Sequence, residues 1–287
     1  MTEALIRYPR LFASLVKVEH TIFALPFAYI GAFLAVDGVP SAHDLLWITV
    51  AMVGARSLAM ALNRLIDAGI DARNPRTAAR ELPRGALRPW HVFAFALASL
   101  GVFLVAVYQL APLVRWLWPI PVVAFVIYPY LKRWSWASHA WLGAVDGLAP
   151  LGAWAAITND FPWEAWALGG AVAFWVAGFD LLYALFDLDV DRAQGLHSLP
   201  ARFGVGAAFL GARACHVATV AGLMAAGFGL PVGALYWIGV GAVAGLLLYE
   251  HSLVSPNDRR RLDMAFFTMN GVISVTFFAF VLADVVL

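Results

Sequence analysis

Apolar residues fall into nine long runs separated by short polar stretches: His20 to Val36, Leu45 to Ile70, His91 to Leu110, Val114 to Leu131, His139 to Ile157, Trp163 to Phe186, Val205 to Leu230, Val232 to Val254 and Met264 to Leu287. Each run is close to the ~20 residues needed to cross ~30 Å of hydrocarbon. The pattern predicts an all-α, polytopic membrane protein of about nine transmembrane helices. Because the runs recur along the whole chain, residues 1–287 read as one membrane domain. Ahead of the first run, Leu5, Tyr8, Leu11, Phe12 and Leu15 recur at helical spacing between Arg7, Arg10 and Lys17. That predicts an interfacial helix over residues 1–17. No short apolar core followed by a small-residue cleavage site precedes it, so no removable signal peptide is expected.

The polar stretches carry the orientation. Arg7, Arg10, Lys17, Arg73, Arg76, Arg80, Arg84, Arg88, Lys132, Arg133, Arg192, Arg202, Arg259, Arg260 and Arg261 all fall on one side, 15 of the 19 basic residues. The opposite side holds Arg115, while Arg56, Arg64 and Arg213 lie within runs. Short cytoplasmic loops collect Lys and Arg, which predicts a cytoplasmic N-terminus and cytoplasmic loops over residues 71–90 and 187–204. These are also the long loops, so function is expected on that face. Pro26, Pro119, Pro121 and Pro150 lie inside runs and read as packing kinks, which membrane helices tolerate when neighbours satisfy the freed carbonyls.

Composition narrows the class. The chain is 62% hydrophobic and 13% charged with a net charge of +1, whereas soluble domains carry roughly 25% charged residues. Without a clustered basic tail there is no footprint for nucleic acid. Cys215 stands alone, which excludes an intrachain disulfide and any cysteine-based metal cluster.

The sharpest chemistry sits at two run ends. Asn63, Asp67 and Asp71 form an NxxxDxxxD ladder at the end of the second run, and Asp180, Tyr183, Asp187 and Asp191 form a DxxYxxxDxxxD ladder at the end of the sixth. Four-residue steps keep side chains near one helix face, ~6 Å apart along the axis. An even number of runs separates the two ladders, so both point the same way and hint at a parallel duplication. Ionised groups this close to hydrocarbon need compensation. Hard oxygen donors without Cys or His fit Mg²⁺, which typically bridges one or two carboxylates to substrate phosphates. On the same face, Arg73, Arg76 and Arg80 stand in one loop, and guanidinium forks match phosphate oxygens. Deeper, Arg56 precedes Asn63 by seven residues, ~10 Å along the same helix face. It is expected either to grip an acidic group on a substrate or to pair with Asp146 in the fifth run, with His20 as the next candidate for substrate contact.

With these motifs in hand, the chain resembles the UbiA superfamily of intramembrane aromatic prenyltransferases. Asn63-Arg64-Leu65-Ile66-Asp67-Ala68-Gly69-Ile70-Asp71, followed by Arg73-Asn74-Pro75-Arg76-Thr77, is similar to its first signature. Asp180 through Asp191 is similar to the second, and Tyr128 with Lys132 to the YxxxK element. The likeness runs from the His20–Phe27 segment to the last helix and is strongest to the 4-hydroxybenzoate polyprenyltransferase branch, including its menaquinone-route relatives. Ala79 departs from the glycine common in that branch. The resemblance implies helices around a central cavity, a cytoplasmic cap over a diphosphate and a side opening for a prenyl tail. It implies one Mg²⁺ on Asn63, Asp67 and Asp71 and a second on Asp180, Asp187 and Asp191. Tyr128, Lys132, Arg73, Arg76, Arg80 and Arg192 would contact the diphosphate, and Arg56, His20 and Tyr183 the aromatic acid acceptor. Asp67, Asp71, Asp187, Asp191 and Lys132 would carry catalysis.

The implied chemistry is ionisation of an allylic diphosphate. The metals, Lys132 and the loop arginines stabilise the leaving group, and the faces of Trp175, Phe179 or Tyr183 stabilise the prenyl cation. The acceptor ring then attacks, and no residue stands out in the sequence as the base that removes the ring proton. Rival readings are a haem-type or chlorophyll-type acceptor, a transporter, and a non-catalytic quinone-binding subunit. A transporter would place ionisable groups near the midplane, and an assembly subunit would have no use for two intact ladders.

Overall fold

The structure is a computed structural model that describes residues 11–17, 21–256, 261–262 and 264–287. The regular elements of the described residues are helices, with no strands, among them α1 (Thr21–Val36), α2 (Ala42–Asp71), α3 (Pro89–Tyr108), α4 (Pro112–Leu117), α5 (Pro119–Leu131), α6 (Ser138–Thr158), α7 (Trp163–Tyr183), α8 (Leu188–Gln194), α9 (Leu199–Phe203), α10 (Val205–Gly229), α11 (Ala234–Leu253) and α12 (Asn270–Val286). Among the described residues, seven helical stretches are long and apolar enough to cross a membrane: α2, α3, α4 with α5, α6, α7 with its following turn, α10 and α11. Two shorter apolar helices, Leu25–Val36 and Asn270–Val286, accompany them. The chain is a multi-pass membrane protein.

Sequence chemistry explains the ends. Ser41 caps α2, its hydroxyl accepting from Asp44 N–H at 3.1 Å. Proline opens α3, α4 and α5, where its missing N–H would be an orphan anyway. Pro119 thereby divides the fourth apolar run into two helices. Asn159 ends α6 in the left-handed conformation.

The bundle is built around α7, the most buried of these stretches, which packs against α6 and α10. Small residues set the α6–α7 spacing: a Cβ on Gly143 would collide with the Ala173 carbonyl, and one on Gly147 would meet the Gly169 carbonyl at 2.5 Å. Close backbone approach of this kind replaces hydrophobic drive in lipid. On the other side α2 packs on α3 and α5, and α1 bridges α6 to α12.

The helix expected over residues 1–17 is described from residue 11, and residues 11–16 are helical. They dock on the protein: Leu15 is fully buried beside Leu58 and Val92, and Phe12 stacks on Phe95 at 4.7 Å. Arg7, Arg10, Arg259 and Arg260, counted in the charge asymmetry, lie outside the described residues.

Candidate active site

The ladder ends of α2 and α7 come to the same end of the bundle and open on a cavity of about 750 Å³. Asn63, Asp67 and Asp71 descend one face of α2, and Asn63 Nδ2 donates to Asp67 Oδ2 at 3.3 Å. Asp67 and Asp71 are 2% and 5% exposed, so each needs a cation. Lys132, at the end of α5, donates to Asp67 Oδ2 at 2.5 Å, and Arg133 adds a contact to Oδ1 at 3.3 Å. Arg80, from the loop after α2, donates to Asp71 Oδ2 at 2.7 Å. That loop is folded back by Thr77, whose hydroxyl donates to the Asp71 carbonyl at 3.0 Å.

The second motif departs from the expected continuous ladder. The α-helix ends at Tyr183, a 3₁₀ turn covers Ala184–Phe186, and a new helix starts at Leu188. This break turns Asp187 toward the loop after α2, where Asn74 Nδ2 donates to Oδ1 at 2.7 Å and Arg76 donates to both carboxylate oxygens. Arg76 also donates to the Tyr183 hydroxyl at 2.7 Å and lies over its ring at 5.1 Å. Burial opposes ionisation of Asp187, but the hydrogen bonds and charge of Arg76, with Asn74 and Arg80, outweigh it and hold its carboxyl below the usual range. At Asp191 the balance is reversed: burial, joined by the Asp187 charge, pushes the carboxyl up.

Asp180 sits on α7 behind the break. His139 Nδ1 is 2.7 Å from Asp180 Oδ2, while the Leu199 backbone N–H donates to His139 Nε2 at 3.3 Å. Accepting at Nε2 fixes the tautomer, so Nδ1 carries the proton and donates to Asp180. The link ties the start of α9 to the cavity wall. A second tie joins His197 N–H to the Lys132 carbonyl at 2.7 Å.

The placement of the sequence-derived residues is uneven. Asn63, Asp67, Asp71, Asp180, Asp187, Asp191, Arg76, Arg80, Tyr128 and Lys132 all line the cavity. Arg73 and Arg192 do not: both are exposed, Arg73 where the chain turns out beyond Asp71 and Arg192 on the outer face of α8. Tyr183 lines the cavity at its charged end, held by Arg76, and not in the deeper layer with Arg56. His20 lies outside the described residues. Arg56 lines the cavity with its Nε buried and unpartnered, and it makes no hydrogen bond or ion pair with Asp146. Asn74, His139 and the buried Arg64 belong to the site and were not singled out from sequence. Asn74 stands inside the quoted Arg73–Thr77 segment, which is the signal that could have found it.

The donor chemistry fits magnesium. The lining donors of both motifs are carboxylate and amide oxygens, and among the described residues no three His, Cys, Asp or Glu side chains converge to hold an ion by themselves. Hard oxygen donors of this kind suit an ion completed by phosphate oxygens and water. Beyond the charged end the cavity is mostly apolar, lined by residues such as Phe103, Val107, Leu110 and Ile120, with Arg56 and Asp146 among them.

A sequence model of the UbiA prenyltransferase family matches residues 24–272. A 4-hydroxybenzoate octaprenyltransferase of Nitrosospira multiformis is 31% identical over 287 residues, covering 99% of this chain and 97% of that protein. Another of that name from Cupriavidus necator is 33% identical, covering 89% and 90%. Among solved structures, a UbiA homolog from Aeropyrum pernix superposes with a TM-score of 0.83 at 31% identity over 93% of this chain and 98% of that one. A homolog from Archaeoglobus fulgidus bound to GPP and Mg²⁺ shares the fold at a TM-score of 0.76 and 18% identity, covering 96% of this chain and 99% of that one.

Proposed function

This chain belongs to the UbiA prenyltransferase family, and from that premise we propose that it transfers a polyprenyl group from its diphosphate to a hydroxybenzoate-type aromatic acid. One observation carries the reading. Carboxylates from both motifs, matched by Lys132, Arg80 and Arg76, occupy one end of a cavity whose remainder is apolar apart from Arg56 and Asp146. Such a cavity suits an amphiphile with a charged head and a long hydrocarbon tail.

Asn63, Asp67 and Asp71 would hold one Mg²⁺ and Asp187 and Asp191, with Asp180 behind them, a second. Bound there, magnesium would neutralise phosphate charge and lower the barrier to ionising the allylic carbon–oxygen bond. The chain's own cations act on the same charge. Lys132, Arg80 and Arg76, which contact Asp67, Asp71 and Asp187, would stabilise the negative charge that grows on the leaving diphosphate. Trp175 and Phe179, edge to face at 5.1 Å on the cavity wall, present ring faces to the prenyl cation. Arg56, one layer deeper, receives the acceptor's carboxylate. Its buried Nε without a partner supports that role, because an arginine in the membrane interior calls for a substrate or a side chain to answer it. The basic loops of the charged end support placing it in the cytoplasm, with the protein in the cell (inner) membrane and residues 71–90 and 187–204 as the cap.

The test uses purified chain in lipid, offered phenolic acids and polyprenyl diphosphates. Magnesium-dependent formation of a prenylated ring is the expected result, and Asp67→Asn, Asp71→Asn, Asp187→Asn and Asp191→Asn each lower turnover by orders of magnitude while folding normally. Wild-type turnover in well-folded variants of both motifs would overturn the assignment.

A further inference from the structure

Asp146 lies near the middle of α6, seven residues and ~10 Å deeper in the bundle than His139, which marks the level of Asp180. Arg56 is equally displaced from Asn63 on α2, so both charged groups occupy one layer beneath the two acidic motifs. Both line the cavity. Asp146 makes no hydrogen bond or ion pair with a described residue, and its nearest charges are Arg56 and Asp180. Asp180 is held by His139, and Asp284 accepts from backbone N–H groups at the start of α11, whereas Asp146 lines the cavity without such a donor. Asp146 faces open space instead. The wall around it is apolar and aromatic, with Val172 and Trp175 from α7 and Met52 from α2, so the space suits a flat ring.

We propose that the Asp146 carboxylate is the base that takes the proton from the acceptor ring. This rests on the prenyl transfer proposed above. The allylic carbon–oxygen bond breaks and its electron pair leaves with the diphosphate. Ring π electrons form the new carbon–carbon bond to the prenyl carbon. The hydrogen on the substituted ring carbon then departs as a proton to an Asp146 oxygen, and the electrons of that carbon–hydrogen bond restore aromaticity. With the acceptor's carboxylate on Arg56, the ring lies between Arg56 and the prenyl carbon, and Asp146 reaches it from the α6 wall. Asp146 later releases the proton through the cavity.

The test compares wild type with Asp146→Asn in lipid, using a hydroxybenzoate with and without deuterium on the ring. The variant is expected to unfold at the wild-type temperature and to bind prenyl diphosphate unchanged, with kcat lowered about 100-fold or more, the scale of general-base contributions. The deuterated acceptor should react several-fold more slowly than the protiated one in the variant. Formate should restore part of the rate to Asp146→Ala, which carries the test if the Asn variant does not fold. If wild type prenylates no hydroxybenzoate, the functional reading fails and this inference with it. If wild type is active and the variant keeps kcat within threefold, or loses only acceptor affinity with no isotope effect and no formate rescue, Asp146 is not the base while the functional reading stands.

Discussion

Replacing Lys132 with methionine is expected to do two opposite things. Lys132 Nζ sits 2.5 Å from Asp67 Oδ2, with Asp67 2% and Lys132 28% exposed. A metal ion competes with that bond for Asp67 Oδ2. Hydrogen bonds to charged groups contribute roughly 1.5–3 kcal/mol. The partial exposure of Lys132 and the second contact from Arg133 at 3.3 Å favour the lower end. With ~1.4 kcal/mol per factor of ten, Lys132→Met should bind Mn²⁺, in the absence of any diphosphate, about tenfold more tightly than wild type. The same variant should turn over roughly 100-fold more slowly, because a preorganised positive charge has left the site where the diphosphate departs. Electron paramagnetic resonance of Mn²⁺ titrated into detergent-solubilised protein reads the first effect, and product formation reads the second. Mn²⁺ affinity that is unchanged or weaker in Lys132→Met would refute Asp67 as a metal ligand displaced from Lys132.

Arg56→Leu should raise the half-saturation concentration of the acceptor strongly, leave that of the prenyl diphosphate nearly unchanged and spare thermal stability, since Asp146 makes no ion pair that would be lost; steady-state kinetics with each substrate varied checks this. The depressed carboxyl of Asp187 makes the contact between the two loops pH-dependent. Its stabilising contribution is fully present above the unfolded-state value of about 4 and is lost as pH falls through the lower folded value. The hydrogen-exchange protection of residues 72–80, taken relative to the intrinsic rate at each pH, should therefore fall in acid in wild type, and Asp187→Asn should already show low protection at neutral pH with less further change.

The helices were legible because lipid imposes a simple demand: every run long enough to span it must satisfy its backbone internally. The first acidic motif was legible for the same reason, since Asn63, Asp67 and Asp71 sit on one uninterrupted helix where spacing dictates geometry. The second was not. Its spacing matches a helix, yet the chain leaves the α-helix at Tyr183, because Asp187 is drawn by Asn74 and Arg76 from a loop more than a hundred residues away. Long-range pairing of this kind leaves no local trace. Arg73 and Arg192 illustrate the same limit from the other side. Both are basic residues beside a motif, and only the direction of the chain on leaving a helix decides whether they face the cavity or solvent. His139 was invisible for a different reason, since a lone histidine at a helix start means little until Asp180 and the Leu199 N–H are seen on either side of it.

The seam between α6 and α7, where glycines let backbone touch backbone, has a mechanical meaning. Two helices this close cannot slide or separate without opening voids that no side chain could fill, so they act as one plate. That plate carries His139 and Asp146 from one helix and Trp175 and Asp180 from the other. The vertical distance between the charged end and the deeper layer is therefore a fixed dimension of the protein, like the gap between the jaws of a gauge. Whatever shape adjustment a bulkier ring or a longer tail demands must come from the opposite wall of α2 and α5, the second of which begins at Pro119 and carries Pro129 within it.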